Sequence, residues 1–397
     1  MNRNDFPWII GNSDVAFFDN AATSHKPHQV IEAITHFYQY DYAPIHRGIY
    51  ASAEQATLQY EQARQKVATF INARSTAEIV FVKGATEGIN AVAATWALEN
   101  LTKGDEIVLT AMEHHANLLP WQWVAQQKQA MLRYIPVTQG GCLDLSNLNT
   151  IITDRTKLVA VVSTSNALGT QNNLTPLIAR AHTVGAKVLV DACQSVPHQK
   201  TDVQKLDCDF LVFSGHKMMG PTGIGVLYIK KELHSDIPPY QRGGGMVREV
   251  TYENATWLEV PQKFEAGTPP IAQAIGLGAA IDYYNNNIDF NALQKHEAQL
   301  TTAAIEGLSK ISDVRLLGPI EDLKRYGHSI TFIHKKYHPH DAAAMLDVNG
   351  IFVRAGHFCA QPLFTLWNMP SGAVRVSFFG YNTLEEVERF ISVMKKL

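Results

Sequence analysis

The 397-residue sequence predicts an α/β protein, with a large domain built on a mostly parallel seven-stranded sheet and a smaller α+β domain at the C-terminal end. Two observations favour this class. From residue 78 onward, short apolar runs alternate with amphipathic helical patterns, as in sheets covered by helices. Residues able to carry chemistry follow the ends of these runs, where open α/β sheets bind ligands.

Seven apolar runs have the length of a strand and are rich in Val, Ile, Leu and Phe. They span residues 78–82, 106–110, 133–137, 158–163, 187–191, 210–213 and 225–229. Helical patterns at 86–99, 117–130, 144–153 and 175–184 fill most of the gaps between them. The alternation predicts parallel strands joined by crossover helices on both faces.

The second domain is predicted from a change of pattern after two long helices. Those helices cover residues 271–286 and 291–310, and strands at 328–334, 350–354 and 374–379 then alternate with helices at 340–348 and 383–396. We therefore assign residues 15–290 to the large domain, and residues 1–14 and 291–397 to the small one.

Composition excludes several classes of protein. A net charge of -3 gives no general basis for binding nucleic acid or an anionic membrane. No apolar run approaches the length of a membrane span, and the first residues lack the apolar core of a signal peptide. The four cysteines form no CxxC pair, so neither disulfides nor a metal site are predicted, and a cytoplasmic location is expected.

The segment Ser214-Gly-His-Lys217 lies between two apolar runs and precedes a Gly-Pro-Thr-Gly-Ile-Gly loop. A lysine on a loop usually extends its ammonium group to water. Here the flanking buried strands favour desolvation, which disfavours the ammonium form and leaves a free amine for Schiff-base chemistry. Lys217 is therefore the first candidate for catalysis.

Three further segments follow strands and have both a structural and a functional interpretation. Asp191 could keep a pyridinium nitrogen protonated or simply cap the next helix. Thr86 begins a helix, where it could bind a phosphate or serve as an ordinary N-cap. His114 could stack on an aromatic cofactor and move protons, or could be a histidine of the core.

Four motifs together resemble the pyridoxal-phosphate cysteine desulfurases, in particular the SufS/CsdA-type branch, which is related to selenocysteine lyases. They are Glu113-His-His-Ala-Asn117, Asp191-Ala-Cys-Gln194, Ser214-Gly-His-Lys217-Met-Met-Gly-Pro-Thr-Gly and Arg354-Ala-Gly-His-Phe-Cys359-Ala-Gln-Pro. They cover essentially the whole chain in the right order. The resemblance implies a fold-type I pyridoxal-phosphate transferase.

The resemblance also implies a role for each site residue. Lys217 would form the Schiff base with pyridoxal 5'-phosphate, Asp191 would pair with its ring nitrogen, Gln194 would bond its phenolic oxygen and His114 would stack on the ring. Thr86, Ser214 and His216 would hold the phosphate, joined by Thr268 across the interface of a homodimer. Asn166 and Arg375 would bind the substrate carboxylate, with Arg354 close by and His46 at the entrance.

Cys359 would distinguish this enzyme from others that use the same cofactor. A lone cysteine is more often a small buried apolar residue. Here positive charge from Arg354 and His357 would favour a thiolate able to attack the substrate sulfur. The sequence departs from the family pattern at Phe358, where histidine is usual, so any role of that position in thiolate activation or acceptor docking is open.

The implied reaction converts L-cysteine to L-alanine and leaves the sulfur on Cys359 as a persulfide. The sulfur would pass to a SufE-like or SufU-like protein for iron–sulfur cluster assembly. Three alternatives stay open: a selenocysteine lyase acting on L-selenocysteine, another class V enzyme such as an aminotransferase or a C–S lyase, and a catalytically silent scaffold.

Overall fold

The computed structural model describes all 397 residues and contains two sheets and two short strand pairs. The strands are β1 (Ala16–Phe17), β2 (Ile79–Val82), β3 (Glu106–Thr110), β4 (Met131–Ile135), β5 (Thr156–Val162), β6 (Lys187–Asp191), β7 (Phe210–Ser214), β8 (Gly225–Ile229), β9 (Val247–Val250), β10 (Ala255–Trp257), β11 (Val314–Leu317), β12 (Ser329–His334), β13 (Ile351–Phe352), β14 (Arg354–Gly356) and β15 (Ala373–Ser377).

The larger sheet has seven strands in the order β2-β8-β7-β6-β5-β3-β4. Strands β4, β3, β5, β6 and β7 are parallel, whereas β8 runs antiparallel to both of its neighbours. Strands β2, β3, β7 and β8 are buried along their whole length, as expected for apolar runs covered on both faces. The predicted mostly parallel seven-stranded sheet is confirmed.

The helices follow the predicted alternation. They are α1 (Pro7–Gly11), α2 (His28–His36), α3 (Ala51–Phe70), α4 (Ala85–Val92), α5 (Leu98–Asn100), α6 (Leu119–Lys128), α7 (Leu148–Ile151), α8 (Thr175–Thr183), α9 (Val203–Leu206), α10 (Ile271–Asn287), α11 (Phe290–Leu308), α12 (Ile320–Tyr326), α13 (Pro339–Asp347), α14 (Gln361–Leu366) and α15 (Leu384–Met394). None of them is both long enough and apolar enough to cross a membrane.

Two predicted helices differ from the structure. The helix expected at 86–99 is interrupted by a π-helical turn at Ala93–Ala97, so that it continues as α5 rather than as one regular helix. The pattern at 144–153 forms only the single turn of α7, because Asp144 and Ser146 instead bond to each other in a loop.

The second sheet has four antiparallel strands in the order β11-β12-β15-β14, and helices α11, α13 and α15 pack around it. Strand β1 pairs with β13 of this C-terminal part, and Phe18 belongs to the same apolar cluster as β12 and β15. The division at residue 290 stays a prediction. Residues 16–18 pack against the C-terminal elements, and so do Met112, Val162 and Leu168, which share an apolar cluster with Leu317 and Phe358.

Candidate active site

A cavity of about 360 Å³ opens where β5, β6 and β7 end, with Val162, Asp191 and Ser214 in its wall. Most of the residues singled out from the sequence line it together. They are Thr86, His114, Asn166, Asp191, Gln194, Ser214, His216, Lys217, Arg354, Cys359 and Arg375. The cavity therefore lies beyond the strand ends, where the sequence predicted a ligand site.

Lys217 is half-buried in a short turn between β7 and β8. Gly215 N–H donates to Ile224 O at 3.0 Å and closes the base of that turn. The carbonyl of the preceding residue, His216, accepts from the Thr23 hydroxyl at 3.0 Å and from Lys26 Nζ at 3.2 Å. The main chain that carries the amine is thus fixed by the sheet and by the N-terminal segment.

Asp191 and Gln194 lie at the end of β6. Asp191 is 3% exposed, and its Oδ1 accepts from the Cys193 N–H at 3.0 Å. Gln194 donates its Nε2 hydrogen to Ala21 O at 2.7 Å, which fixes the amide against the N-terminal segment. These contacts orient both side chains at the floor of the cavity, a position suited to a polar ring.

The opposite end of the cavity suits an anion. Helix α4 begins immediately after Gly84, and Ser214 Oγ accepts from the Ala85 N–H at 3.0 Å. Further N–H groups of the first turn have no partner within the helix and lie beside Thr86 and His216 on the same wall. Helix N–H groups and hydroxyls together are suited to bind a phosphate.

His114 is held as a neutral imidazole. Burial, helped by the charge of Lys217, lowers the pKa of His114 to about 4. Its Nδ1 accepts from the Ala116 N–H at 3.0 Å, so the ring proton is on Nε2. The preceding Glu113, whose pKa burial raises to about 8, is fixed by the Thr110 hydroxyl, by Asn117 and by the backbone of β5.

Arg354 and Arg375, on two strands of the second sheet, line the cavity, and Asp19 lies between them. Arg375, 3% exposed, donates to Asn166 O at 2.7 Å and to Asp19 Oδ1 at 3.1 Å. Arg354 Nη2 lies 2.6 Å from the other oxygen of Asp19. Asn166 Oδ1 and Arg375 Nε are buried without partners, which leaves polar capacity for a ligand.

Cys359 is exposed, and its backbone has an unusual conformation. Phe358 and Cys359 have φ values of 52° and 55°, which are rare for residues with a side chain. The Cys359 carbonyl accepts from the His115 N–H at 2.6 Å, and Gln361 N–H donates to His115 Nε2 at 3.2 Å. The cysteine segment therefore rests on the loop that carries His114.

Thr268 and His46 line a different cavity, of about 270 Å³, together with Glu265 and the loop around Gly244. Within one chain they are therefore not part of the cavity that contains Lys217. The carboxylate of Glu265 pairs with Arg64 through two bonds of 2.7 and 2.8 Å, which ties the Thr268 loop to α3.

Sequence reasoning missed Asp19, which bridges the two arginines, and gave Phe358 no structural role. No local pattern could have identified Asp19, because its partners are more than 330 residues away along the chain. Phe358 was noticed only as a departure from the family pattern, whereas its ring lies 5.0 Å from the Arg375 guanidinium carbon.

A separate group of buried residues, His198, Glu297 and His328, brings three possible metal-ligating atoms within 4.8 Å of one another. The two imidazole rings are stacked with centroids 3.7 Å apart and an angle of 9° between their planes. Because imidazole lone pairs lie in the ring plane, two parallel stacked rings do not point at one common ion. His198 Nδ1 instead lies 2.9 Å from Glu297 Oε1.

Comparison with known proteins places this site in a family. The cysteine desulfurase of Salmonella newport (strain SL254) is 45% identical over 399 residues, covering 100% of this chain and 97% of the relative. The apo structure of cysteine desulfurase from Thermococcus onnurineus NA1 superposes with a TM-score of 0.94 at 42% identity, covering 99% of this chain and 96% of the other.

A second solved structure is similar over the same extent. The cysteine desulfurase CsdA from Escherichia coli, in its S-sulfonic acid form, has a TM-score of 0.91 at 38% identity, covering 99% of this chain and 96% of the other. The family described as aminotransferase class-V matches residues 16–390. The chain therefore belongs to the class-V aminotransferase family, within its cysteine desulfurase branch.

Proposed function

We propose that the protein is a pyridoxal-phosphate-dependent cysteine desulfurase that converts L-cysteine to L-alanine and keeps the sulfur on Cys359 as a persulfide. The observation that carries the proposal is the convergence of Lys217, Asp191 and Cys359 on one cavity. An amine, a buried carboxylate and an exposed thiol are the groups that this chemistry requires.

The residues present fit the cofactor. Lys217 would carry its aldehyde carbon, Asp191 its ring nitrogen and Gln194 its phenolic oxygen, while Ser214, Thr86 and His216 surround the phosphate end. The orphaned atoms of Asn166 and Arg375 fall on the remaining side, where a substrate carboxylate belongs. When bound, pyridoxal phosphate withdraws electrons from the substrate α-carbon.

The protein groups then divide the work. Arg375 and Asn166 bind the substrate carboxylate, and the Lys217 amine removes the proton from the α-carbon. The Cys359 thiolate attacks the substrate sulfur, forming the S–S bond of the persulfide as the carbon–sulfur bond breaks. The electron pair of that bond stays with the substrate, and protonation of the carbon gives alanine. His114, neutral and protonated on Nε2, can donate a hydrogen bond at the cavity wall.

A homodimer accounts for the location of Thr268 and His46. These residues would complete the partner's cavity, not the cavity of their own chain. Exposed apolar side chains surround the His46 loop, including Tyr40 (74% exposed), Tyr42 (65%) and Ile49 (94%). Such a cluster is typical of a surface that is covered in the assembled protein.

The sulfur acceptor that we propose is a SufE-like or SufU-like protein that supplies iron–sulfur cluster assembly. Cys359 is exposed, so a partner can reach the persulfide without opening the cavity. A thiolate nucleophile must stay reduced to act, which favours a cytoplasmic location.

Mass spectrometry after treatment with L-cysteine tests the proposal. We expect one additional sulfur on Cys359, and alanine as the product without added keto acid. Cys359→Ala should keep the yellow cofactor but lose sulfide release, whereas the matched variant Cys142→Ala should behave like the wild type. Pyruvate in place of alanine, or undiminished sulfide release by Cys359→Ala, would contradict the proposal.

A further inference from the structure

The side chain of Phe358 is buried, although the neighbouring Cys359 is exposed. Its ring is 8% exposed and packs edge-on against Phe364, with centroids 5.6 Å apart. The ring also contacts a charged group, because the Arg375 guanidinium carbon lies 5.0 Å from the ring centroid. A cation over an aromatic face is attracted by the ring quadrupole, most strongly where water is excluded.

The main chain of Phe358 is also bound to the carboxylate pocket. Its carbonyl accepts from Asn166 Nδ2 at 2.5 Å, and the Asn166 carbonyl accepts from Arg375 at 2.7 Å. Phe358, Asn166 and Arg375 thus form a closed set of contacts. The second Nδ2 hydrogen of Asn166 remains available to a ligand, so the same amide can bind the cysteine segment and a substrate.

The segment needs such anchoring because its conformation is unfavourable by itself. Two consecutive non-glycine residues with positive φ persist only where surrounding contacts determine them. The ring of Phe358 and its carbonyl provide two such contacts, both on residues that face the substrate carboxylate.

We infer that Phe358 is a positioning residue that couples recognition of the substrate carboxylate to presentation of the Cys359 thiol. The ring orients Arg375, and the backbone anchored on Asn166 sets the direction of Cys359. The inference rests on the proposed function, in which Arg375 and Asn166 bind that carboxylate. A phenyl ring neither donates nor accepts a proton, so its contribution is geometric.

Ligand titration of the holoenzyme separates this role from ordinary core packing. The ligands are L-alanine, which has the carboxylate, and ethylamine, which lacks it, and the readout is the change in cofactor absorbance. Phe358→Leu removes the aromatic face but keeps an apolar side chain, and Phe358→Tyr keeps the face. Phe364→Leu is the matched control, because Phe364 packs on Phe358 and makes no cation–π contact with Arg375.

We expect Phe358→Leu to weaken L-alanine binding about tenfold, with ethylamine binding unchanged, since a cation–π contact is lost only at the carboxylate pocket. Phe358→Tyr and Phe364→Leu should bind both ligands like the wild type. An equal loss for both ligands, or an equal loss in Phe364→Leu, would overturn the inference.

The rate of alkylation of Cys359 by iodoacetamide, followed by mass spectrometry, provides a second readout that does not depend on turnover. If the segment is loosened, Cys359 should be alkylated about threefold faster in Phe358→Leu than in the wild type. In Phe364→Leu the alkylation rate should be unchanged. Equal rates in wild type and Phe358→Leu would refute the part of the inference in which the ring of Phe358 holds the cysteine segment.

Failure of the inference can be told from failure of the proposed function. If the wild type binds L-alanine better than ethylamine while Phe358→Leu matches it, only the inference fails. If the wild type itself does not distinguish the two ligands, the assignment of the carboxylate pocket fails, and the inference fails with it.

Discussion

Lys217 and Cys359 lie in parts of the structure that differ in burial and in the number of neighbouring strands. Lys217 follows β7, which pairs with β6 on one side and β8 on the other, inside the buried seven-stranded sheet. Cys359 follows β14, the edge strand of the smaller sheet, and is exposed on a left-handed stretch of backbone. Lys217 therefore lies on a turn that the buried sheet holds in place, whereas Cys359 lies on an exposed segment beside a sheet edge. This difference suits the proposed roles, in which the lysine holds the cofactor in a fixed position and the cysteine passes sulfur to a partner.

Replacing the lysine should have the largest effect. In the proposed function Lys217 is both the covalent anchor of the cofactor and the base that takes the α-proton, so Lys217→Ala should lower alanine formation by about 10⁴-fold or more. The rate of alanine production measures the loss of activity. Borohydride, which reduces a Schiff base between lysine and the cofactor, should no longer attach the cofactor to the variant. A variant that keeps more than a hundredth of the wild-type rate would contradict the role proposed for the Lys217 amine.

The start of β8, which pairs with the end of β7 just before the turn of Lys217, should not tolerate an added methyl group. A Cβ at Gly225 would lie 2.6 Å from the Gly84 Cα and 2.8 Å from the Phe213 carbonyl oxygen. Gly225→Ala should therefore lower the free energy of unfolding by about 2 kcal/mol, because main-chain atoms of three segments must move. Urea denaturation measures this, with Gly11→Ala as a control, because the Gly11 site has nothing within 4 Å and its φ is not positive.

Glycine and alanine can also be compared at position 359, where we expect the difference in stability to come from backbone strain and not from steric crowding. Both Cys359→Gly and Cys359→Ala lack the thiol, but only glycine adopts a φ of 55° without cost. We expect the glycine variant to be more stable than the alanine variant by about 1 kcal/mol in urea denaturation. Equal stabilities would mean that the cysteine segment is not strained.

A smaller effect is expected on how the free energy of unfolding depends on pH, through a histidine near the turn of Lys217. His25 lies beside Lys26, behind the turn that carries Lys217, and burial together with the charge of Lys26 lowers the pKa of His25 to about 4. The unfolded chain, with an ordinary histidine pKa of about 6.5, takes up the proton first, so the free energy of unfolding should fall as the pH drops from 6.5 to 4.

Substitution of His25 tests this. His25→Phe keeps a ring against Trp8, where the rings stack at 4.0 Å, and removes the titrating group. Between pH 7.5 and 5, we expect the wild type to lose about 1 kcal/mol more stability than this variant, a figure reduced for the partial exposure of the ring.

The accuracy of sequence-based prediction varies along the chain for physical reasons. Strands β7 and β8 were predicted within about one residue, because continuous apolar runs bounded by glycines specify a buried strand. The hairpin of β9 and β10 was not predicted within the loop-rich segment 238–270, since its short, largely exposed strands have little hydrophobic pattern. Helix α7 was overestimated because polar loop contacts outweigh a weak helical pattern.

Within the site, the residues of the sequence motifs could be predicted, whereas the residues that join them in space could not. Lys217, Asp191 and His114 could be singled out because each directly follows a strand and has a recognisable neighbourhood in the sequence. Asp19 could not, since a carboxylate between two arginines is defined only when the N-terminal segment meets β14 and β15. Phe358 could be identified as unusual, but not as a neighbour of Arg375.

By itself, the sequence determined the class of the fold, the large sheet and the chemical groups offered at the strand ends, because apolar periodicity and motif spacing are local properties. Only the tertiary structure decided that Asp19 joins Arg354 to Arg375, that Phe358 lies under a guanidinium, and that Thr268 and His46 face a cavity apart from Lys217. Those contacts join segments distant in the chain, and their geometry depends on how the two sheets pack together.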